Sequence, residues 1–398
     1  MTAPRQQGSS LRPGLWDDYY APEFLVRVND QLLDPTTKGD ILQISVTLDE
    51  KQPAAFNLTI SDWDDVNLTF KYSSTTLFDP GRSITVDLGY ASKLIRVTSG
   101  VITSLSPRFP ESGTPTLTVG GQDRMRQMAN RQPGVGDRKL YRNKTDGEIA
   151  QEIAARWNMR SKVSTAGPRH PLVVQKNQDD ATFLMERAKR IDFEFYIDIE
   201  AGAGNEVLHF EERRDGRDAA PIRVYEFEWG RNLINFNPRL TSTNQVSAVT
   251  VRGWDPQAKK PIVYTARSSD LPRSAAGPRS GPAAADRSAV EVIVDKPILS
   301  LEEARRLATS RLMERANQFT SGSAQVIGLP DLRPNDNVDI TNVGPRFSGR
   351  YHVTKVTHTL GVNGFTTAIE VDRPVAGPAT QAQRTASPGP GSPATAQR

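Results

Sequence analysis

Hydrophobic and polar residues alternate with a period of two over much of the first hundred positions, as expected of strands with one buried face. Six segments carry the pattern between Glu23 and Asp123: EFLVRVN, DILQISVTLDE, AAFNLTISD, SITVDLGY, RVTSGVITSLSP and TLTVGG. They are short, rich in Val, Ile and Thr, and separated by Pro, Gly or Asp. That predicts an antiparallel sandwich or barrel over residues 23–123. The period then lengthens. Thr145 and Glu148 stand at capping-box spacing and Ile149, Ile153 and Trp157 continue one face, so a helix is expected from about Asp146 to Asn158. PLVVQ reads as a short strand. In NQDDATFLMERAKRIDFEFYIDIE, residues 177–200, Asp179 or Asp180 can cap a helix whose buried face is Leu184, Ala188 and Ile191. After Asp192 the alternation returns: Phe193, Phe195, Ile197 and Ile199 against Glu194, Tyr196, Asp198 and Glu200, with the acids on the wetter face. EVLHF is expected to return as a hairpin, completing a small α+β module behind a basic connector in residues 124–227.

From about Glu228 the strand pattern resumes and echoes the first region. TVGGQD at 118–123 recurs as TVRGWD at 250–255, PGRSITVDL near residue 80 as PNDNVDITN near 334, and SGVIT at 99–103 as SGRYHVT at 348–354. The T-V-x-G-x-D frame closes the first set and opens the second, so the copies are not collinear. The expected fold is mainly β with an α+β insert: two related antiparallel β-barrel domains, residues 23–123 and 228–373. The second is interrupted at about 256–297, where SSDLPRSAAGPRSGPAAADRS predicts a mobile insertion. A helix follows over about 300–318, with Ala304, Leu307, Ala308, Leu312 and Ala316 on one face. Residues 1–22 read as an N-terminal arm, and 374–398, nearly all Ala, Pro, Gly, Ser, Thr and Gln, as a disordered tail.

Length and composition narrow the function classes. A chain of 398 residues has room for two or three domains with adequate cores. No run of about 18 apolar residues exists, so no membrane insertion is expected, and MTAPRQQGSSLRPG lacks the apolar core of a secretory signal. The absence of cysteine removes disulfides, thiolate catalysis and cysteine zinc sites together. Net charge is +4, but from Gly121 to His170 eleven Lys or Arg stand against five Asp or Glu. Such a patch can bind phosphate backbones or dock on an acidic protein surface, and no nucleic-acid readout motif accompanies it.

Candidate chemistry is sparse. His352 and His358 lie on one expected strand, roughly 20 Å apart at the strand rise, too far to share a metal. The other two histidines are His170 and His209, and His209 could ligate only with residues from elsewhere. DWDD at 62–65 lacks the glycine and distal glutamate of an EF-hand loop and reads as a turn. GVGDRK at 134–139 has no GK[ST] ending, and no G-x-S-x-G elbow appears. A paired acid and base has no fixed spacing, but nothing supports one. No catalytic, cofactor-binding or metal-ligating residues are assigned, and no enzyme activity is expected.

Several stretches together carry a family resemblance: FDPGRSITVDLGY, SGVITSLSPRFP, PTLTVGGQD, NKTDGEIAQEIAARW, VVQKNQDDATFLMERAKRIDFEFYI and GLPDLRPNDNVDITNVGPRFSGRYHVTKVTHTL. From about Glu23 to Arg373 the chain resembles the phage late control protein D family, the baseplate hubs of contractile tails. It is also similar to the N-terminal hub region of the valine–glycine repeat spike proteins of type VI secretion. The resemblance implies a homotrimer in which two barrels per chain make a pseudo-sixfold ring. That ring would adapt a hexameric inner-tube protein to a trimeric spike, among other baseplate proteins. The oligonucleotide-binding-like barrel and β-helix of the spike proteins have no counterpart here, so a separate spike polypeptide is expected. The chain would be made in the bacterial cytoplasm and assembled into the baseplate of a phage tail or injection-system particle, with release outside the cell left open. The rival functions are a tail-tip cell-wall hydrolase and a nucleic-acid-binding module using Arg138, Lys139, Arg142 and Lys144 in region 124–144; nucleic acid is not the expected partner.

Overall fold

A computed structural model of the chain describes residues 10–11, 21–91, 93–130, 139–199, 206–212, 224–255, 258–272 and 275–377. Alternation becomes sheet in the first unit. Its strands are β1 (Pro22–Val28), β2 (Ile41–Asp49), β3 (Ala55–Ser61), β4 (Ser83–Tyr90), β5 (Lys93–Arg108) and β6 (Thr116–Gln122). Ile44, Val46 and Leu48 on β2 face Phe56, Leu58 and Ile60 on β3 in one core. Each such side chain contributes ~1.5–3 kcal/mol on burial, and a one-residue slip would expose all of them, so the register is fixed. Every pairing is antiparallel, in the order β2-β3-β6-β5-β4-β1. Asn29 and Asp30, both in the left-handed region, make the two-residue turn that follows β1.

The α+β module follows, with α1 (Arg124–Asn130), β7 (Lys139–Lys144), α2 (Asp146–Arg156), β8 (Arg160–Val163), β9 (His170–Gln175), α3 (Asp180–Ile191), β10 (Phe193–Ile199) and β11 (Glu206–Glu212). The expected capping box is present at Thr145 and Glu148, and Asp192 ends α3 in the left-handed conformation. β10 and β11 pair as the expected hairpin. Ile149, Ile153, Leu184, Ala188, Phe195 and Phe210 close the module's core.

The remaining elements are β12 (Val224–Glu228), β13 (Leu233–Leu240), β14 (Ala248–Asp255), β15 (Lys260–Arg267), β16 (Val290–Ile293), α4 (Leu301–Asn317), β17 (Thr320–Ile327), β18 (Asn337–Thr341), β19 (Gly349–Gly361) and β20 (Gly364–Arg373). Six of them lie in the order β13-β17-β20-β19-β18-β12. This is the order of the first unit, strand for strand, in the same chain sequence. One difference is direction: β12 runs parallel to β18, whereas β1 is antiparallel to β4. The long strand β19 pairs with β18 near its start and with β2 near its end, so both units share one sheet of fourteen strands among the described residues.

Two expectations are corrected. TVRGWD does not repeat TVGGQD, because it lies on β14 in a separate three-stranded sheet, β15-β14-β16. The strand equivalent to β6 is β20, and with the false echo removed the two sets are collinear. The segment 256–297 is not a mobile loop where it is described. It supplies β15, β16 and a helical turn at Gly281–Ala284, and with β14 and α4 it builds a fourth core of Val249, Val251, Leu307, Ala308 and Leu312. Helix α4 lies where expected. Of the arm, Ser10–Leu11 runs parallel to β12 and Pro22 opens β1; of the tail, Ala376 and Gly377 bond back to Arg279 and Arg346; residues 1–9, 12–20 and 378–398 lie outside the described residues.

Candidate functional site

Within 177–199 the acids Asp179 and Asp180 are structural ties, and Asp180 is less wet than expected. Asp179 caps α3 by accepting from the Thr182 amide at 2.7 Å. Asp180 is buried and accepts from Gln175 Nε2 (2.7 Å), Trp157 Nε1 (2.9 Å) and Arg156 Nη2 (3.1 Å). Burial opposes its charge, but these partners hold its pKa below the usual value. Asp146 behaves alike: it is buried, yet His170 and the Arg187 guanidinium keep it ionised. Neither carboxyl is poised to give up a proton to a substrate.

The carboxyl shifted the other way is Asp123, at the end of β6. Burial, and then the nearby charge of Glu206, push it up to about 7. Glu206 is itself raised by burial, against the pull of Arg124 at 3.0 Å. The two line a cavity of about 50 Å³ with Leu48, Val97, Ile197 and Ile199. That is room for a few waters.

Three units meet at a second carboxylate cluster, which corrects the placement of Glu194 on a wetted face. Glu50 follows β2, Glu194 is on β10 and His352 is on β19. His352 Nε2 lies 3.2 Å from Glu50 Oε2 and 3.8 Å from Glu194 Oε1, with side-chain exposures of only 6%, 9% and 12% respectively. Nearby, Arg333 donates to Arg96 O at 3.0 Å and lies 3.6 Å from Asp198, again touching all three units. Arg190 reaches Glu303 and Pro297 O, and Ser310 donates to Lys189 O, fixing α3 against α4. Tyr90 donates across the two β units to Gly328 O at 2.9 Å. These contacts tie the four cores to one another.

The other singled-out residues are now placed. Asp62 accepts from the Tyr72 and Ser73 amides and Asp64 from those of Val66 and Asn67, and DWDD is not simply the expected turn: Trp63–Asp64 pair with Thr69–Phe70 as a small hairpin, and the turn begins at Asp65. In the basic region Lys139 lies 3.6 Å from Asp180 and Lys144 pairs with Glu152; Arg142 is exposed, and Arg138 lies outside the described residues. The expected free basic patch is therefore half consumed internally. His209 pairs with Glu211 and stacks on Tyr196, and His358 is fully buried between Thr367 Oγ1 and Leu332 O. The sequence reading missed the Glu50–Glu194–His352 cluster, since no spacing signals a contact across 302 positions. On the outside, one face of the β15-β14-β16 sheet carries Trp254, Val263, Val290 and Val292, each about half exposed.

This arrangement has known counterparts. The family model described as the Alg8 N-terminal domain matches residues 22–361. The chain belongs to the Alg8 N-terminal domain family. No curated protein matches the sequence. Among solved structures, the Alg8 N-terminal domain chain is similar to a 43 kDa tail protein of prophage MuSo2 from Shewanella oneidensis. The TM-score is 0.65 at 17% identity, covering 89% of this chain and 99% of that one. A tail protein of Neisseria meningitidis MC58 gives 0.62 at 15% identity, covering 89% and 97%. The E. coli c3393 protein, a component of the type VI secretion system, gives 0.54 at 13% identity, covering 88% and 76%. The fold of this family member is that of phage tail proteins, shared with type VI secretion, in keeping with the resemblance its motifs carry. Among the described residues no helix is long and apolar enough to cross a membrane.

Proposed function

We propose that the chain is the structural hub of a contractile phage tail or phage-derived contractile injection system. As a homotrimer it adapts a hexameric inner tube to a trimeric spike within the baseplate, and it has no catalytic centre of its own. The observation that carries this reading is the strand order repeated in β1–β6 and in β12, β13 and β17–β20. One chain thereby offers two similar units, and three chains offer six, the number a sixfold tube end requires. The phage tail fold supports the setting, and the buried, ion-paired state of Asp146 and Asp180 supports a non-enzymatic role. The apolar outer face around Trp254 and Val292 is of the kind that proteins bury against partners.

Native mass spectrometry of the chain expressed with its tube and spike proteins tests the stoichiometry, with three copies per complex expected. Six copies, or none retained, would refute the hub assignment. Peptidoglycan cleavage by the purified chain that disappears on Asp123→Asn or Glu206→Gln substitution would refute the non-enzymatic part.

A further inference from the structure

Glu50, Glu194 and His352 form a donor set that the hub reading does not use. They come from the first β unit, the α+β module and the second β unit, and their ligand atoms all lie within 4.8 Å of one another. Around a tetrahedral ion with bonds of about 2.0–2.2 Å, ligand atoms stand about 3.3–3.6 Å apart. The two distances to His352 Nε2, 3.2 and 3.8 Å, bracket that spacing. Lys51 engages Glu50 through Oε1 at 2.8 Å, on the oxygen other than the one facing the imidazole. Glu50 and Glu194, though not His352, also line a cavity of about 110 Å³ with Lys51, Lys189, Ser310 and Asn317, which has space for a water as fourth ligand.

We propose that Glu50, Glu194 and His352 bind one divalent transition-metal ion of the zinc class, clasping the three units together. One imidazole and two carboxylates suit zinc, cobalt or manganese, whereas magnesium and calcium take oxygen donors alone. A bound ion offsets the mutual repulsion of two nearly buried carboxylates. It stabilises the folded chain by mass action, because the unfolded chain does not hold the three donors together. The site does not depend on the hub reading.

The test is isothermal titration of the chelator-stripped full chain with zinc sulfate, followed by thermal unfolding with and without zinc. Expected are one equivalent per chain, a raised melting temperature, and no response to magnesium. Glu50→Gln, Glu194→Gln and His352→Gln, each checked for folding by circular dichroism, are each expected to weaken binding by more than about tenfold. A wild-type chain without saturable one-to-one zinc binding would overturn the proposal, whatever the variants do. So would binding that all three folded variants retain, which would mark an adventitious ion. Cobalt(II) absorption gives an independent readout on the wild-type chain: a ligand-field spectrum of a low-symmetry, four-coordinate site is expected, and that of the hydrated ion contradicts it.

Discussion

Asp123 shows how a single side chain sets the response to pH. Its Oδ1 is buried without a hydrogen-bond partner, and burial beside Glu206 raises its pKa from 3.8 to about 7. Between those values the folded chain keeps a proton that the unfolded chain has lost. Stability therefore falls as pH rises through that window, and the full cost is present above about pH 7. Asp123→Asn is expected to stabilise by on the order of 1–3 kcal/mol at about pH 8 and by much less at about pH 4. Chemical denaturation at the two pH values checks this, and an equal effect at both contradicts it. His358 has the opposite sense: burial, then the charge of Arg333, lower it from 6.5 to about 3. Its neutral form is fully compatible with folding above about pH 6.5, and stability is lost as pH falls toward 3. His358→Gln is expected to flatten the acid limb of the stability–pH curve, measured by the same denaturation series. Neither environment was legible in the sequence, because both arise from side chains brought in by other strands.

Local chemistry fixed the helices and short strands. Thr145 and Glu148 announce α2 within four residues, and the box they form is present, with Thr145 Oγ1 accepting from the Glu148 amide. Thr145→Ala is expected to cost about 1 kcal/mol by loss of that cap, read as a lowered denaturation midpoint with unchanged slope. The failures were also local in origin. TVRGWD and TVGGQD share a strand-and-turn pattern that strands of unrelated sheets can use, so the match carried no topology. The Pro, Ala, Gly and Ser content of 268–288 hid the strands beside it. Lys260–Arg267 and Val290–Ile293 belong to a sheet only because β14 lies between them. Non-local pairing of that kind leaves little trace in composition.

At the scale of the molecule, the decisive feature is the repeated six-strand order and the β2–β19 pairing that joins the two sets. Motif stretches gave the setting, since FDPGRSITVDLGY and SGRYHVTKVTH lie on the strands that repeat, β4 and β19. The same stretches could not give the junctions, where Arg333, Tyr90 and Glu194 each join residues from separate units. In the proposed assembly those junctions keep the two β units of each chain in fixed relation, as a rigid adapter between tube and spike requires. Averaged images of the intact tail tip, refined without imposed symmetry, test this most directly. Three copies are expected in one ring, with the six β units superposing on one another beneath the six tube subunits. Six copies in the ring, or β units within a chain that do not superpose, would contradict the hub.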